Sequence, residues 1–325
     1  MGAKSEMEIM ERLKNKTVLV TGGAGFIGGH LTKKLLTMGF KVVVVDIGIN
    51  PRSIFYLEKL KKSVAFENAD VRDRKRISTI FKKYKPSFVF HLAAEPIVEK
   101  SFESPYETLA TNIMGTVSVL EAARSLKNIT GVIVASSDKA YGKTKKAYTE
   151  DSPLRGDHPY DVSKSAEDLI AQAYAKTYGL PIVITRFGNV YGEGDFHKGR
   201  IIPDICEAII KKKTLKIRSD GKYVRDYIYV EDVVNGYTFL LQNIKTVKGQ
   251  AFNFSSKDSL SVLELIKKTE KLCNVKISYT IQNTAKNEIP YQHLNDRKVR
   301  KLGWKNTHNF ENSFVHTLAW YKKYL

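Results

Sequence analysis

A chain of 325 residues can bury a large core, as one large domain or two fused ones. Its 42% hydrophobic and 27% charged residues are those of a soluble globular protein, and no apolar run approaches the roughly 20 residues needed to cross a bilayer. The net charge of +19 raises nucleic acid as a partner, but the basic clusters (Lys59 to Lys62, Arg72 to Arg76, Lys82 to Lys85, Lys143 to Lys146, Lys211 to Lys213) are dispersed between apolar positions, and no RNA-binding sheet motif, zinc finger or basic tail accompanies them.

Neither a nucleic-acid nor a membrane partner is therefore expected; a positive field equally attracts anionic dinucleotides and sugar nucleotides. From Met1 to Lys16 charges alternate without the apolar segment of a signal peptide, and Glu6 stands where a myristoylation motif wants Ser or Thr. Cys206 and Cys273 form neither a disulfide framework nor a metal-ligand spacing. No metal is expected, and a cytoplasmic setting fits.

The apolar run Val18-Leu19-Val20 reads as a buried strand over 17–21. It runs into Thr21-Gly22-Gly23-Ala24-Gly25-Phe26-Ile27-Gly28 and then into an amphipathic helix marked by Phe26, Ile27, Leu31, Leu35 and Leu36. A strand, a glycine-rich turn and a helix present backbone N–H groups at a helix N-terminus to a pyrophosphate. The glycines at 22, 25 and 28 follow GxxGxxG rather than GxGxxG, and alone they are weak evidence. The next strand, 41–46, ends in Asp46, about 20 residues beyond the turn, where an acidic residue takes the adenosine ribose hydroxyls. Asp46 also repels a 2′-phosphate and so favours NAD over NADP, with Arg52 nearby as the opposing signal.

Further strands are predicted at 63–68, 87–92, 130–136 and 181–185, with helices between them and one from about Pro159 to Tyr178. Short apolar runs alternating with helices argue for a doubly wound parallel sheet covered on both faces. From about Gly188 the pattern loosens into short elements, with helices near 261–272 and 310–324. Residues 1–187 read as an α/β dinucleotide-binding domain. Residues 188–325 read as mainly a smaller α/β substrate subdomain, the chain crossing back to the sheet.

Tyr160 and Lys164 form a YxxxK pair on one helix face. A nearby ammonium, with the positive charge of a nicotinamide, favours tyrosinate and makes a base active near neutral pH. Ser136-Ser137-Asp138-Lys139-Ala140-Tyr141-Gly142 follows the fifth strand and places hydroxyls at the end of the sheet.

On these motifs the chain resembles the extended short-chain dehydrogenase/reductases of the nucleotide-sugar epimerase/dehydratase family. The resemblance extends over nearly the whole length. In family order it takes in Asp70-Val71-Arg72-Asp73, His91-Leu92-Ala93-Ala94, Arg186 to Gly192, Arg200-Ile201-Ile202-Pro203, Arg225 to Asp232 and Leu302-Gly303-Trp304. It implies NAD as cofactor, a nucleotide-diphosphate sugar as substrate, and a homodimer formed through the Tyr160 helix and the helix near 103–125. It implies that Tyr160 takes the proton of the sugar 4-hydroxyl while hydride leaves C4, that Lys164 holds the nicotinamide ribose, and that Ser137 hydrogen-bonds the same oxygen. Gly22, Gly25, Phe26, Ile27, Gly28, Asp46, Asp70, Val71, Leu92, Ala93 and Ala94 would surround the cofactor. Asn189 and Arg225 would meet the substrate diphosphate, with Arg200, Ile201 and Arg218 near the nucleobase.

Epimerases and 4,6-dehydratases both begin with a 4-keto sugar, but only a dehydratase needs an acid near O6 and a base near C5. Asp138 and Lys139 offer that pair, similar to CDP-glucose 4,6-dehydratases, whereas Arg225 to Asp232 looks more like an epimerase. The expectation is an NAD-dependent nucleotide-sugar 4,6-dehydratase, with a 4-epimerase as the alternative. Lys139 could instead be a surface charge or a phosphate contact. Four other residues have an ordinary structural reading beside a functional one. His91 and Asn112 read as packed core residues, Trp304 as a packing anchor, and Cys206 as a buried small side chain or a pocket wall.

Overall fold

The computed structural model describes residues 13–144, 146–256, 258–284 and 289–325. Met1 to Arg12, read above for a leader, and Lys145 lie outside the described residues. Seven parallel strands form the main sheet: β1 (Thr17–Thr21), β2 (Lys41–Asp46), β3 (Ala65–Asn68), β4 (Phe88–His91), β5 (Gly131–Ala135), β6 (Ile182–Phe187) and β10 (Ala251–Phe254). Their order across the sheet is β10-β6-β5-β4-β1-β2-β3. The chain reverses direction across the sheet at β1 and β4, so a crevice opens beyond their carboxyl ends, where doubly wound folds bind ligands. The α/β doubly wound sheet expected from the sequence is thus present. It has one strand more than the six read there, and β3 starts later because a 3₁₀ turn, Leu60–Ser63, takes up the start of that segment.

Strand alternation builds two cores. Val18, Val20, Val42 and Val44 face one side, against Leu31 and Leu35 of α1 (Phe26–Thr37). Leu19, Val43, Val45 and Val89 face the other. There they meet Ile77, Ile80 and Phe81 of α2 (Arg74–Tyr84), with Val119 and Leu120 of α3 (Gly115–Arg124). Both faces are dry, which is why these strands read as nearly continuous apolar runs.

The long α4 (Pro159–Tyr178) breaks the pattern by burying Asp161, Lys164, Glu167 and Asp168. Arg186 of β6 reaches up to Asp168, with Nε to Oδ2 and Nη2 to Oδ1 both 2.8 Å, and also donates to the Tyr141 hydroxyl at 2.6 Å and the Glu150 carbonyl at 3.1 Å. This bidentate pair fixes the height of the helix above the sheet.

Beyond β6 the chain forms β7 (Asn189–Tyr191), α5 (Ile201–Lys211), β8 (Leu215–Ile217) and β9 (Val224–Tyr229). It then returns to the main sheet through α6 (Val230–Gln242) and β10, which pairs with β6. Then follow β11 (Ser259–Ser261), α7 (Val262–Cys273), β12 (Tyr279–Ile281) and α8 (Phe310–Tyr324), close to the expected helix positions. Two small sheets, β11-β9-β7 and β12-β8, complete the fold. Their core gathers Ile205, Cys206, Leu265, Phe310 and Phe314. Cys206 is fully buried there, and Trp304 packs edge-on against Phe254 at 4.9 Å.

Removing one partner of a buried, hydrogen-bonded ion pair strands the other charge. Arg186→Met is therefore expected to cost about 3–5 kcal/mol in urea denaturation; a loss below about 1 kcal/mol, the range of exposed pairs, would show that the pair does not hold the helix.

Candidate active site

Thr21 ends β1, and Gly22 turns the chain with φ of +69°, a left-handed value glycine adopts without steric cost. A side chain at Gly22 would also press within 2.8 Å of the Ala93 backbone nitrogen. At Gly28 the fit is tighter: a Cβ there would lie 2.0 Å from the Gly22 carbonyl oxygen. The first turn of α1 thus touches the glycine turn backbone to backbone, and its free N–H groups face the crevice. The Asp46 carboxylate braces this turn, accepting from Ala24 N–H at 3.0 Å and from Ile47 N–H at 2.8 Å, and burial raises its pKa. Arg52 lies over the Phe196 ring at 5.3 Å.

One cavity of about 930 Å³ occupies the crevice. It is lined by every residue singled out above for cofactor binding: Gly22, Gly25, Phe26, Ile27, Gly28, Asp46, Asp70, Val71, Leu92, Ala93, Ala94, Tyr160 and Lys164. Ser137, Asp138, Lys139, Asn189, Arg200, Ile201, Arg218 and Arg225 line the same space. Asp70 is clasped by Arg72, with Nη2 to Oδ2 2.7 Å, and this guanidinium holds its pKa low. Ser136 Oγ, at the end of β5, is buried in the wall with no protein partner among the described residues. The glycine cradle and this orphaned hydroxyl fit a dinucleotide lying across the switch point.

Tyr160 stands one turn before Lys164 on α4, as the spacing predicted. Lys164 Nζ donates to the Ala135 carbonyl at 3.0 Å and to Glu167 at 2.7 Å. Burial alone would lower the Lys164 pKa, but Glu167 outweighs it and keeps the group an ammonium. Burial pushes the Glu167 carboxyl up to about 7. On Tyr160 burial is also the larger effect and raises the phenol, while Lys164 pulls it down, in the direction expected of the pair. The net direction is upward, so Lys164 by itself does not make the phenol acidic.

Ser137 caps a 3₁₀ turn, Asp138–Tyr141, accepting from Lys139 N–H at 3.2 Å and donating to Asp138 Oδ1 at 3.1 Å. Asp138 is 2% exposed, and burial raises its pKa. Its proton therefore persists at pH values where an exposed aspartic acid has lost it. Lys139 is half-buried, and its Nζ donates to Oε1 of the buried Gln292 at 3.1 Å.

A family model described as the NAD dependent epimerase/dehydratase family matches residues 18–254. The chain belongs to this family. NAD is accordingly the dinucleotide for which the turn at 22–28 is built. Over 333 residues the chain is 31% identical to dTDP-glucose 4,6-dehydratase of Haemophilus influenzae, covering 94% of this chain and 97% of that one. It is 30% identical to CDP-glucose 4,6-dehydratase of Salmonella typhimurium (96% and 92% covered). It is 31% identical to a trifunctional UDP-glucose 4,6-dehydratase/3,5-epimerase/reductase of Arabidopsis thaliana, covering 96% of this chain and 48% of that one. The chain thus spans about half the length of such plant relatives. Among solved structures it resembles UDP-glucose 4-epimerase of Thermotoga maritima with a TM-score of 0.87 at 28% identity, covering 95% of this chain and 99% of that one. It also resembles a dTDP-glucose 4,6-dehydratase of Streptomyces venezuelae, with a TM-score of 0.85 at 27% identity and 94% and 97% covered.

Within this epimerase/dehydratase fold several side chains have settled roles. His91 is fully buried, with Nδ1 2.7 Å from Thr21 Oγ1 and Nε2 2.9 Å from Thr116 Oγ1, and burial lowers its pKa to about 3. It is a neutral strut. Asn112 accepts from Glu95 N–H at 2.7 Å and donates to Ser163 Oγ at 2.8 Å, a core role. Cys206 does not line the cavity. Arg218 pairs with Glu99 across the cavity mouth and donates to the Gly199 carbonyl at 3.1 Å, while Arg200 pairs with Asp195 at 3.1 Å. Sequence reasoning missed Glu167 and Gln292. For Glu167 the i, i+3 spacing from Lys164 was the available signal. Gln292 stands 153 positions from Lys139 and carries no motif.

Gly28→Ala is expected to weaken NAD binding at least about tenfold, some 1.4 kcal/mol, because α1 must back away from the turn. Titration of NAD into stripped protein checks this; unchanged affinity would mean that the close approach is not what holds the pyrophosphate.

Proposed function

We propose that the protein is a nucleotide-sugar 4,6-dehydratase, converting an NDP-hexose to an NDP-4-keto-6-deoxyhexose. The observation that carries this reading is the Asp138–Lys139 pair: a buried carboxyl with a raised pKa and an inward-facing amine, adjacent on one capped turn in the wall that also holds Tyr160. When bound, NAD supplies the hydride acceptor for C4 and the hydride donor for C6. Tyr160 takes the proton of O4 as C4 becomes a ketone, beside the Lys164 ammonium. The new carbonyl acidifies the C5 proton, which Lys139 in its neutral form removes. Asp138 protonates O6, the C5–C6 double bond forms and water leaves. A proton returned to C5 completes the balance, so the net change is the loss of one water. Asn189 and Arg225 line the cavity for the diphosphate, Arg225 as a charge-assisted donor, with Arg200, Ile201 and Arg218 toward the base.

A 4-epimerase is the second reading, favoured by the TM-score of 0.87 to the Thermotoga maritima epimerase. The two part at water loss. Incubation with CDP-, UDP-, dTDP- and GDP-hexoses is expected to give, by mass spectrometry, one product lighter by a water. Asp138→Asn and Lys139→Ala should each slow that loss by about 10²–10⁴-fold. A new stereoisomer of unchanged mass would make the protein an epimerase and leave Lys139 without a catalytic role.

We also propose a homodimer through α4 and the helical run 105–124. Among the described residues Tyr106, Met114, Val162 and Leu169 are exposed on these helices by 78%, 55%, 41% and 52%, a concentration of apolar side chains on neighbouring helices that a second copy would cover. Sedimentation should give twice the chain mass, reverting to one in the double variant Val162→Asp, Leu169→Asp. A monomeric wild type would refute the dimer.

A further inference from the structure

We propose that Gln292 is a positioning residue that clamps Asp138 and Lys139 into one acid–base unit; this rests on the dehydratase reading. Gln292 is fully buried and lies behind the cavity wall. Its Oε1 accepts from Lys139 Nζ at 3.1 Å, and its Nε2 donates to Asp138 Oδ2 at 3.2 Å. With an ammonium at Lys139 and an ionised Asp138, a flipped amide would set its NH₂ against the lysine and its oxygen against the carboxylate and lose both bonds, so in that protonation state the two partners dictate the orientation.

The clamp is itself rigidly mounted. Gln292 N–H donates to the Val224 carbonyl at 3.1 Å, and Leu294 N–H donates to Asp226 Oδ2 at 2.8 Å. His293 Nδ1 lies 2.9 Å from Asp226 Oδ1, and the His293 carbonyl accepts from Tyr148 N–H at 2.8 Å. The segment 291–295 is thus laced to β9 on one side and to Tyr148 on the other. Asp138 and Lys139 are neighbours in sequence on a short 3₁₀ turn, which cannot alone direct both side chains to one substrate. Gln292 ties the two heads together from behind and leaves their outer faces to the cavity. Asp138 Oδ1 is meanwhile fixed by Ser137. The C5 proton and O6 sit on adjacent carbons of the sugar, so the spacing of the two heads decides whether C5–H removal and C6–O cleavage proceed together once the C4 ketone has formed.

The charged and titratable groups around this unit are Asp161, Glu99, Arg225, Asp226, Tyr148 and Tyr160. Among the described residues, the side-chain heads of Asp138 and Lys139 are joined only through the Gln292 amide.

The test compares wild type with Gln292→Leu, of similar size and without polar atoms, using CDP-, UDP- or dTDP-glucose, whichever the wild type dehydrates, with hydrogen or deuterium at C5. The expected result is a fall in kcat for water loss of about 10²-fold, a KM within about twofold, and a larger isotope effect from C5 deuterium, because proton removal becomes the slow step. A purely structural role would raise KM, lower kcat and the melting temperature together and leave the isotope effect unchanged; that result, or wild-type kinetics, overturns the clamp. Gln292→Glu keeps the shape and covers a failure of the leucine variant to fold. Its carboxylate favours the Lys139 ammonium, so the rise of activity with pH should move to higher pH, and an unmoved profile overturns the proposal. If the wild type itself releases no water from any of these sugars, the dehydratase reading falls first and the clamp with it, an outcome distinct from a wild type that dehydrates and variants that do so equally well.

Discussion

The burial of ionic groups along one face of α4 is the constraint on which the site depends. Asp161, Lys164, Glu167 and Asp168 all lie under the helix, and a buried charge survives only with a partner. Lys164 meets Glu167 and the Ala135 carbonyl, and Asp168 meets Arg186 in a bidentate pair. These pairings leave the helix one rotation and one height above the sheet. Tyr160 is thereby held in the cavity wall, and the Arg186 guanidinium, by also grasping Tyr141, ties the 3₁₀ turn of Asp138 and Lys139 to the same frame. Asp138, Lys139 and Tyr160 are therefore positioned by one network rather than by three independent loops.

The cofactor end is governed by shape instead of charge. Between the Gly28 backbone and the Gly22 carbonyl there is no room for a methyl group, so α1 and the turn act as a rigid body that presents donors to a pyrophosphate. His91, kept neutral by burial and strung between Thr21 and Thr116, supports the same turn from below. The catalytic and cofactor halves meet at β4 and β5, the strands whose ends carry Leu92 to Ala94 and Ser136 to Lys139.

Much of this was legible locally. Strands such as 41–46 are marked by runs of valine because both sheet faces are buried, and Asp46, Tyr160, Lys164 and the glycines sit in short motifs whose spacing survives in sequence. What was not legible depends on contacts distant along the chain. The strand Ala251–Phe254 is only four residues long, and it becomes the seventh strand because α6 carries the chain back beside β6. Gln292 offers no motif, and its meaning comes from its partners at 138 and 139. The tyrosine's environment was half legible: the spacing revealed the ammonium, while the burial that opposes it emerged only from packing.

In the proposed dehydration, hydrogen moves from C4 to C6 within one sugar while C5 exchanges with solvent. Running the reaction in deuterium oxide and reading the product by NMR tests this most directly. The expected product is a 6-deoxy sugar with one deuterium bound at C5 and the C4 hydrogen retained at C6. A product with its C6 hydroxyl intact and no carbon-bound deuterium would contradict it.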